Sequence, residues 1–251
     1  MKPARVELLG VSKRFGGVRA VEDADLELRE GEVVGLVGHN GAGKSTLVKL
    51  LSGALVADSG EIRVDGAPVR IRNPRDARRL GIEALYQDLA LADNLGAAAN
   101  VFLGRERLTA WHTLDERAME SAALAVIQRL NPTLRDVRSP VRQLSGGQRQ
   151  TVAIARALQF EGRVLIMDEP TAALGPEETA LVVELIARLR RDGLSIVLIS
   201  HDLHEVFDLC DRVVVMKNGR VVGGGSTAQL TRERVLRLIL TGASAEPGRL
   251  D

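Results

Sequence analysis

The sequence predicts an α/β protein with a mainly parallel sheet, an antiparallel β subdomain near the N-terminus and an inserted α-helical subdomain. Three observations predict this class. Short strand-like runs fill the first third of the chain, strand patterns disappear from about residue 88 to residue 143, and strands then alternate with helices. Such alternation favours a parallel sheet, because each helix carries the chain back to the start of the next strand. A length of 251 residues with 45% apolar residues allows a core of this size.

The first third contains three strand-like runs, ARVELLGVSKRF, VEDADLELREGE and EVVGLVG. The last run is short, apolar and β-branched, which is typical of a buried strand. Helical periodicity follows in STLVKLLSGAL, and a strand pattern returns in EIRVDGAPVRI with a turn at Asp65 and Gly66. These runs predict the β subdomain and the beginning of the parallel core.

The middle of the chain is rich in alanine and leucine, and LDERAMESAALAVIQRL is a clear helix that NP closes. A second helix runs through Phe160. The predicted order after it is strand RVLIMDE, helix PEETALVVELIARLRRDG, strand LSIVLIS, helix HDLHEVFDLC and strand RVVVMKNG. The segment RERVLRLIL predicts a short final helix, and we expect TGASAEPGRLD to fray.

Composition excludes several classes of protein. The formal net charge is +1, from 34 basic and 33 acidic residues, so the basic excess of a dedicated nucleic-acid binder is missing. The single cysteine, Cys210, excludes an intramolecular disulfide, and we interpret it as a small buried hydrophobic residue. The N-terminus lacks the apolar segment of a signal peptide, and no stretch approaches the roughly 18 apolar residues of a membrane span. We therefore expect an intracellular protein that does not cross a bilayer by itself.

The segment GHNGAGKST matches the P-loop pattern in its required context of strand, glycine-rich turn and helix. Its glycines let the backbone wrap phosphate groups, Lys44 supplies positive charge to the β- and γ-phosphates, and the Ser45 hydroxyl coordinates Mg²⁺. The alternative is a chance glycine-rich turn with an exposed lysine. The predicted core is that of a P-loop NTPase, with a nucleotide-binding loop formed by Gly38, His39, Asn40, Gly41, Ala42, Gly43, Lys44, Ser45 and Thr46.

Two carboxylates end the buried strand in RVLIMDEP, at the edge where parallel sheets place their chemistry. We predict that Asp168 supports the Mg²⁺ shell and that Glu169 polarises an attacking water. His201 follows the next strand, where it can contact a γ-phosphate or hold the water in line. A solvated turn is the alternative for the two acids, and a structural role is the alternative for the histidine.

The segment LSGGQ, Leu144 to Gln148, stands at the start of an amphipathic helix and precedes RVLIMDEP. A helix N-terminus with a serine and two glycines favours an anion, because free N–H groups and the positive end of the helix dipole converge there. This order of motifs strongly resembles the ABC-type ATP-binding cassette along essentially the whole chain. The resemblance implies one ATP-binding domain over 1–251, with core and β subdomains at 1–87 and 163–251 and a helical subdomain at about 88–162 that ends in the signature helix.

The resemblance also implies roles for individual residues. Phe15 corresponds to the aromatic ring that stacks on adenine, although a core phenylalanine is the alternative. Gln87 corresponds to the glutamine that meets Mg²⁺ and water, and His201 to the switch histidine. The signature that grips ATP comprises Ser145, Gly146, Gly147 and Gln148. Together with the P-loop residues, these assignments give the predicted catalytic residues Glu169, His201, Lys44 and Gln87. The predicted metal ligands are Ser45, Gln87 and Asp168.

Two such cassettes pack head to tail in the resembled family, so that each ATP lies between one subunit's P-loop and the other subunit's signature. We therefore expect ATP and Mg²⁺ as ligands and a second copy of this chain as a partner, because only one set of motifs is present. One position departs from the family pattern. Gly175 occupies the place of an aspartate that normally helps the two sites sense each other, which puts communication between the sites in doubt.

The segment 84–106 contains LALADNL and AANVFLGRE, which are similar to cassettes of bacterial monosaccharide importers of the ribose, xylose and fructose kind. The resemblance implies a cytoplasmic ATPase on the inner face of the cell membrane. It would contact transmembrane permease subunits through the helical subdomain and a solute-binding protein indirectly, with no nucleic-acid partner. Alternatives are an importer ATPase for another small solute such as amino acids, a soluble non-transport ABC ATPase, and a non-hydrolysing interaction protein.

Overall fold

The computed structural model describes residues 3–160, 162–172 and 174–242, so most of the tail expected to fray lies outside the described residues. The elements in chain order are β1 Ala4–Phe15, β2 Val18–Arg29, β3 Val33–Val37, α1 Lys44–Leu51, β4 Ser59–Val64, β5 Ala67–Val69, α2 Pro74–Arg79, β6 Ile82–Leu85, α3 Ala97–Phe102, α4 Glu116–Leu130, a 3₁₀ turn Val141–Gln143, α5 Gly146–Leu158, β7 Val164–Asp168, α6 Pro176–Arg191, β8 Ser195–Ile199, α7 Leu203–Leu209, β9 Arg212–Lys217, β10 Arg220–Ser226 and α8 Arg232–Thr241.

The chain divides into two compact units. The first unit comprises the described parts of Met1–Ala84, Arg163–Glu169 and Ala187–Asp251, and the second comprises those of Leu85–Gly162 and Pro170–Ile186. The subdomain boundaries given in the sequence analysis remain a prediction.

The first unit holds two sheets of different kinds. One is a four-stranded antiparallel sheet in the order β2-β1-β4-β5. The other has six strands in the order β10-β9-β3-β8-β7-β6, in which β9, β3, β8 and β7 are parallel and β10 pairs antiparallel with β9. The predicted α/β class, with a mainly parallel core sheet and an N-terminal antiparallel sheet, is confirmed.

The central strands of the six-stranded sheet position the site. Every residue of β3 and β8 is buried, as expected of continuous apolar strands that are covered on both faces. Ile199 at the end of β8 pairs with Leu36 of β3 on one side and with Asp168 of β7 on the other. Because the three strands are parallel and in this register, their carboxyl ends reach the same edge of the sheet.

The second unit is built around α3, α4 and α5, whose shared core is formed by Ala97, Val101, Phe102, Ala123, Ile127, Val152 and Ala153. A fully buried amide organises the loop before α3. Asn100 Nδ2 donates to the carbonyls of Ala92, Leu95 and Gly96, and its Oδ1 accepts from Ala92 N at 2.7 Å. Such a satisfied buried side chain fixes one conformation of the loop.

The predicted long helix in the middle of the chain is confirmed as α4, which Asp115 caps by accepting a hydrogen bond from Ala118 N. Strand β10 was missing from the predicted elements, because three successive glycines weaken the strand pattern of its segment RVVGGGS. Cys210 is buried, and desolvation raises the pKa of its thiol far above the ordinary range. Among the described residues, no helix combines the length and the apolar character that crossing a membrane requires.

Candidate nucleotide-binding site

The glycine-rich loop connects the buried end of β3 to the start of α1. Gly43 precedes α1 with a φ of 106°, and a Cβ atom there would lie 2.5 Å from the carbonyl oxygen of Ala20. A Cβ atom on Gly38 would lie 2.3 Å from the carbonyl oxygen of Met216. The path of this loop therefore requires glycine at both positions, for steric reasons that exist before any ligand binds.

Lys44 begins α1 and folds back over the loop. Its Nζ donates to the carbonyl oxygens of Gly38 at 2.6 Å and His39 at 3.0 Å. Desolvation lowers the pKa of Lys44, and the nearby carboxylates of Glu169 and Asp168 oppose that shift. The loop thus holds a partly desolvated ammonium beside its own backbone. His39, Asn40 and Ser45 around it are exposed.

Asp168 and Glu169 stand at the end of β7, beside the end of β8. Glu169 has a φ of 50°, which is uncommon for a residue other than glycine, and its N–H donates to the carbonyl oxygen of Ile199 at 2.9 Å. Strained backbone of this kind concentrates at functional sites. The left-handed turn breaks the alternation of the strand and fixes the position of the Glu169 carboxylate.

His201 follows β8 in a turn that hydrogen bonds stabilise. Ser200 Oγ donates to Glu205 Oε2 at 2.6 Å and accepts from the Asp202 N–H at 3.1 Å. His201 Nδ1 lies 3.2 Å from Glu169 Oε1, while the histidine side chain is 77% exposed. The structure therefore brings His201 and Glu169 together, and the ring remains open to a ligand.

Burial and the neighbouring charge of Glu169 raise the pKa of Asp168, and Lys44 opposes them. Within the described residues, no group of three or more His, Cys, Asp and Glu side chains is arranged to hold a metal ion. The Asp168 carboxylate and the Ser45 hydroxyl are oxygen donors. Such donors fit Mg²⁺, which proteins usually bind through one or two carboxylates together with substrate phosphates.

Phe15 ends β1 and is 47% exposed, so the alternative of a core phenylalanine is wrong. Its ring lies 5.8 Å from Lys13 Nζ, and a face of this kind can receive a planar base. Gln87 belongs to the second unit, two residues beyond the end of β6, and is exposed. Its predicted contact with a metal ion stays a prediction.

The signature segment begins α5. Ser145 caps the helix, because its hydroxyl accepts from the Gln148 N–H at 3.4 Å while Gln148 Oε1 accepts from the Ser145 N–H at 3.0 Å. This capping box satisfies two backbone donors at a helix N-terminus. Gly147 N–H instead donates to Glu178 Oε1 at 3.4 Å.

Glu178 was absent from the predicted site. It lies in the second unit, as the signature does, and 31 residues separate it from Gly147. In the motif GPEE, Gly175 precedes the helix and Glu178 follows Gly175 by three positions. This spacing indicates a helix cap. No local sequence pattern predicts that the Glu178 carboxylate also contacts the signature.

The P-loop on β3 and α1, together with the acidic end of β7, defines the class: a P-loop nucleotide hydrolase. The chain matches the family model described as ABC transporter over residues 21–172. It therefore belongs to the ABC transporter family and is an ATP-binding ATPase of that family, which confirms the resemblance found in the sequence.

Two curated relatives and one solved structure illustrate the similarity. Fructose import ATP-binding protein FrcA of Rhizobium meliloti is 48% identical over 218 residues, which cover 84% of this chain and 84% of FrcA. Ribose import ATP-binding protein RbsA of Caldanaerobacter subterraneus subsp. tengcongensis is 40% identical over 94% of this chain and 47% of RbsA, so the chain spans about half of that relative. The dimeric ATP-binding cassette MJ0796, in a post-hydrolysis state bound to ADP and Pi, is 27% identical with a TM-score of 0.72, covering 88% of this chain and 98% of that chain.

Proposed function

We propose that this chain is the ATP-hydrolysing subunit that powers a membrane importer of a monosaccharide. The arrangement of Lys44, Glu169 and His201 at neighbouring strand ends carries the ATPase part of the proposal. Similarity to import proteins named for fructose and ribose supports the sugar part. No residue of the chain is assigned to recognition of the sugar itself.

In the proposed mechanism, two copies of the chain bind ATP between them. The loop 38–46 of one copy surrounds the phosphates, with Lys44 as the charged contact and Phe15 against the adenine. Ser145, Gly146, Gly147 and Gln148 of the other copy approach the same nucleotide. A dimer of the MJ0796 cassette bound to ADP and Pi supports this arrangement. Because ATP binds the closed pair better than the open pair, hydrolysis would reopen it.

Mg²⁺ is the proposed metal, with Ser45, Asp168 and Gln87 as the residues that would hold it. The carboxylate of Asp168 and the exposed hydroxyl of Ser45 fit the oxygen ligands that Mg²⁺ prefers. When bound, the ion would neutralise negative charge on the phosphate oxygens. Lys44 adds a second positive charge to the same group.

Glu169 is the proposed base. Its carboxylate, positioned by the left-handed backbone at the strand end, would take a proton from the attacking water. His201 would orient that water through the contact between Nδ1 and Glu169 Oε1. Gln87 would complete the catalytic set from the segment that follows β6. Hydrolysis needs no covalent step on the protein, so positioning and charge account for these roles.

The proposed partners are transmembrane permease subunits, which the segment 84–106 of the helical subdomain would contact, and a solute-binding protein that acts indirectly. The site of action would be the inner face of the cell membrane. The predicted division into a core at 1–87 and 163–251 and a helical subdomain at about 88–162 belongs to the same proposal.

The proposal is tested by recovering the tagged Glu169→Gln protein from its native cells in mild detergent with Mg·ATP present. We expect a polytopic permease to copurify, because the variant should hold ATP without hydrolysing it. The matched control is the Lys44→Ala protein, which should lose ATP-dependent partners. Copurification of ribosomes, DNA or scaffold proteins in place of a permease would overturn the transport proposal and leave the ATPase mechanism intact.

A further inference from the structure

The N-terminus of the signature helix already contacts an anion that belongs to the same chain. Glu178 Oε1 accepts from Gly147 N–H at 3.4 Å, and Glu178 Oε2 accepts from Gly175 N–H at 3.4 Å. These bonds lower the pKa of Glu178, with Gly147 as the largest cause, followed by Gly175 and then by smaller contributions from Ser145 and Gly146. Four residues around the carboxylate thus stabilise its charged form.

The same carboxylate also caps its own helix. Gly175 O accepts the first helical hydrogen bond of α6, from Thr179 N at 2.9 Å, and Glu178 reaches back to the Gly175 N–H. This is the glutamate half of a capping box. A helix cap alone needs only the Gly175 contact. The contact with Gly147 is therefore additional to the cap and requires another explanation.

The carboxylate lies where the signature glycines leave space. A Cβ atom on Gly146 would lie 2.6 Å from Leu174 Cδ2, and 3.2 Å from Glu178 Oε2 and 3.4 Å from its Oε1. A Cβ atom on Gly147 would lie 3.6 Å from the Cβ of Glu178. Leu174 and Glu178 thus occupy the side of the signature on which the two glycines lack side chains, and the Glu178 carboxylate is the charged group among them.

We propose that Glu178 is a built-in competitor for the signature, which occupies its backbone donors until the ATP held by a second copy of the chain displaces it. The inference rests on the proposed sandwich of ATP between two copies. It assigns Glu178 a positioning role, because the side chain acts on the signature donors and not on the reacting atoms.

The physical reason is the sign of the charge. A carboxylate and a γ-phosphate are both anions, and both can accept hydrogen bonds from the N–H groups at the same helix N-terminus. They repel one another, so the phosphate must displace the carboxylate from Gly147 before it can use that donor. Closure of the two copies therefore includes the cost of releasing Glu178. The free subunit is held in a state in which its signature is satisfied without nucleotide.

The test measures ATP-dependent dimerisation in the Glu169→Gln background by light scattering, as Mg·ATP is titrated. We expect the added change Glu178→Gln to lower the half-saturating Mg·ATP concentration by about tenfold, because a charge-assisted contact becomes a weaker neutral one. The matched control is Glu177→Gln, which removes the same charge from the neighbouring exposed position of α6 and should change nothing.

A half-saturating concentration that stays the same or rises in Glu178→Gln would overturn the inference and leave Glu178 as a helix cap. If Glu178→Gln fails to fold, Glu178→Asp replaces it, because the shorter side chain keeps the charge but draws away from Gly147. The same fall is expected there, and its absence is equally decisive. Failure of the Glu169→Gln parent to dimerise would instead contradict the ATP sandwich itself, so the two failures are distinguishable.

Discussion

The two segments proposed to bind phosphate both depend on glycine, but for different reasons. In the loop before α1, Gly43 has a positive φ, and a side chain there would collide with backbone. In the signature, Gly147 lies within α5, and a Cβ atom would make only an ordinary contact at 3.6 Å. The fold of the loop requires glycine at Gly43, whereas a side chain at Gly147 would meet only Glu178, at an ordinary contact distance. Glycine is therefore a steric requirement of the first segment, and the fold by itself does not explain it at Gly147.

The largest expected effect is that of Gly43→Ala on folding. The added methyl group would meet the Ala20 carbonyl oxygen at 2.5 Å in a backbone conformation that alanine disfavours. We expect the free energy of unfolding to fall by about 3 kcal/mol or more, measured by urea denaturation. Gly41→Ala is the control, because Gly41 also has a positive φ but open space around it. Equal losses in the two variants would show that the collision is unimportant.

The next effect concerns chemistry. Lys44→Ala should reduce ATP hydrolysis by about 100-fold or more, because the variant lacks the charge that stabilises the transferred phosphoryl group. Phosphate release at saturating Mg·ATP measures it. Arg79→Ala removes an exposed cation from α2 and should stay within about twofold of the parent. Comparable activity in the Lys44 and Arg79 variants would remove the P-loop from the mechanism.

Gly147→Ala tests the other side of the comparison. Alanine is favoured over glycine by roughly 0.5–1 kcal/mol in a helix interior, and Gly147 is the second residue of α5, so we expect at most a small gain in the free energy of unfolding. ATP-dependent dimerisation of the Glu169→Gln protein should nevertheless weaken, because the methyl group occupies the approach of the phosphate. Calorimetry measures the stability of the variant, and light scattering on the same sample measures its ATP-dependent dimerisation. A loss of stability in the variant would show that the fold requires glycine at Gly147, as it does at Gly43.

The smallest effect is an electrostatic effect on stability. Asp168→Asn should raise the melting temperature at neutral pH, by less than Gly147→Ala does. Burial raises the pKa of Asp168 above that of the unfolded chain, so its ionised form opposes folding. This penalty is complete above the folded pKa and disappears as pH falls through the ordinary carboxyl range. The melting temperatures of the variant and the parent, measured at pH 8, 6 and 4, should therefore converge as the pH falls. A higher melting temperature of the variant that persists at pH 4 would exclude burial of the Asp168 charge as its cause.

The sequence alone predicted the features that local spacing specifies. The loop 38–46 is recognisable because a buried strand, its glycines and the lysine at the helix start are contiguous in the chain. Asp168 and His201 could be placed at one sheet edge because parallel strands end on the same side. The family could be predicted for the same reason, since its motifs are short and their order is linear.

Only the tertiary structure decided the features that depend on contacts between distant residues. The pairing of β10 with β9 overrides the weak strand pattern of three successive glycines. The raised pKa of Asp168 follows from burial, which no spacing reveals. The contact between Glu178 and Gly147 joins two helices whose sequences each indicate only a cap. Periodicity and capping report what a segment does with its neighbours in the chain, whereas packing determines which side chain fills the space that glycine leaves.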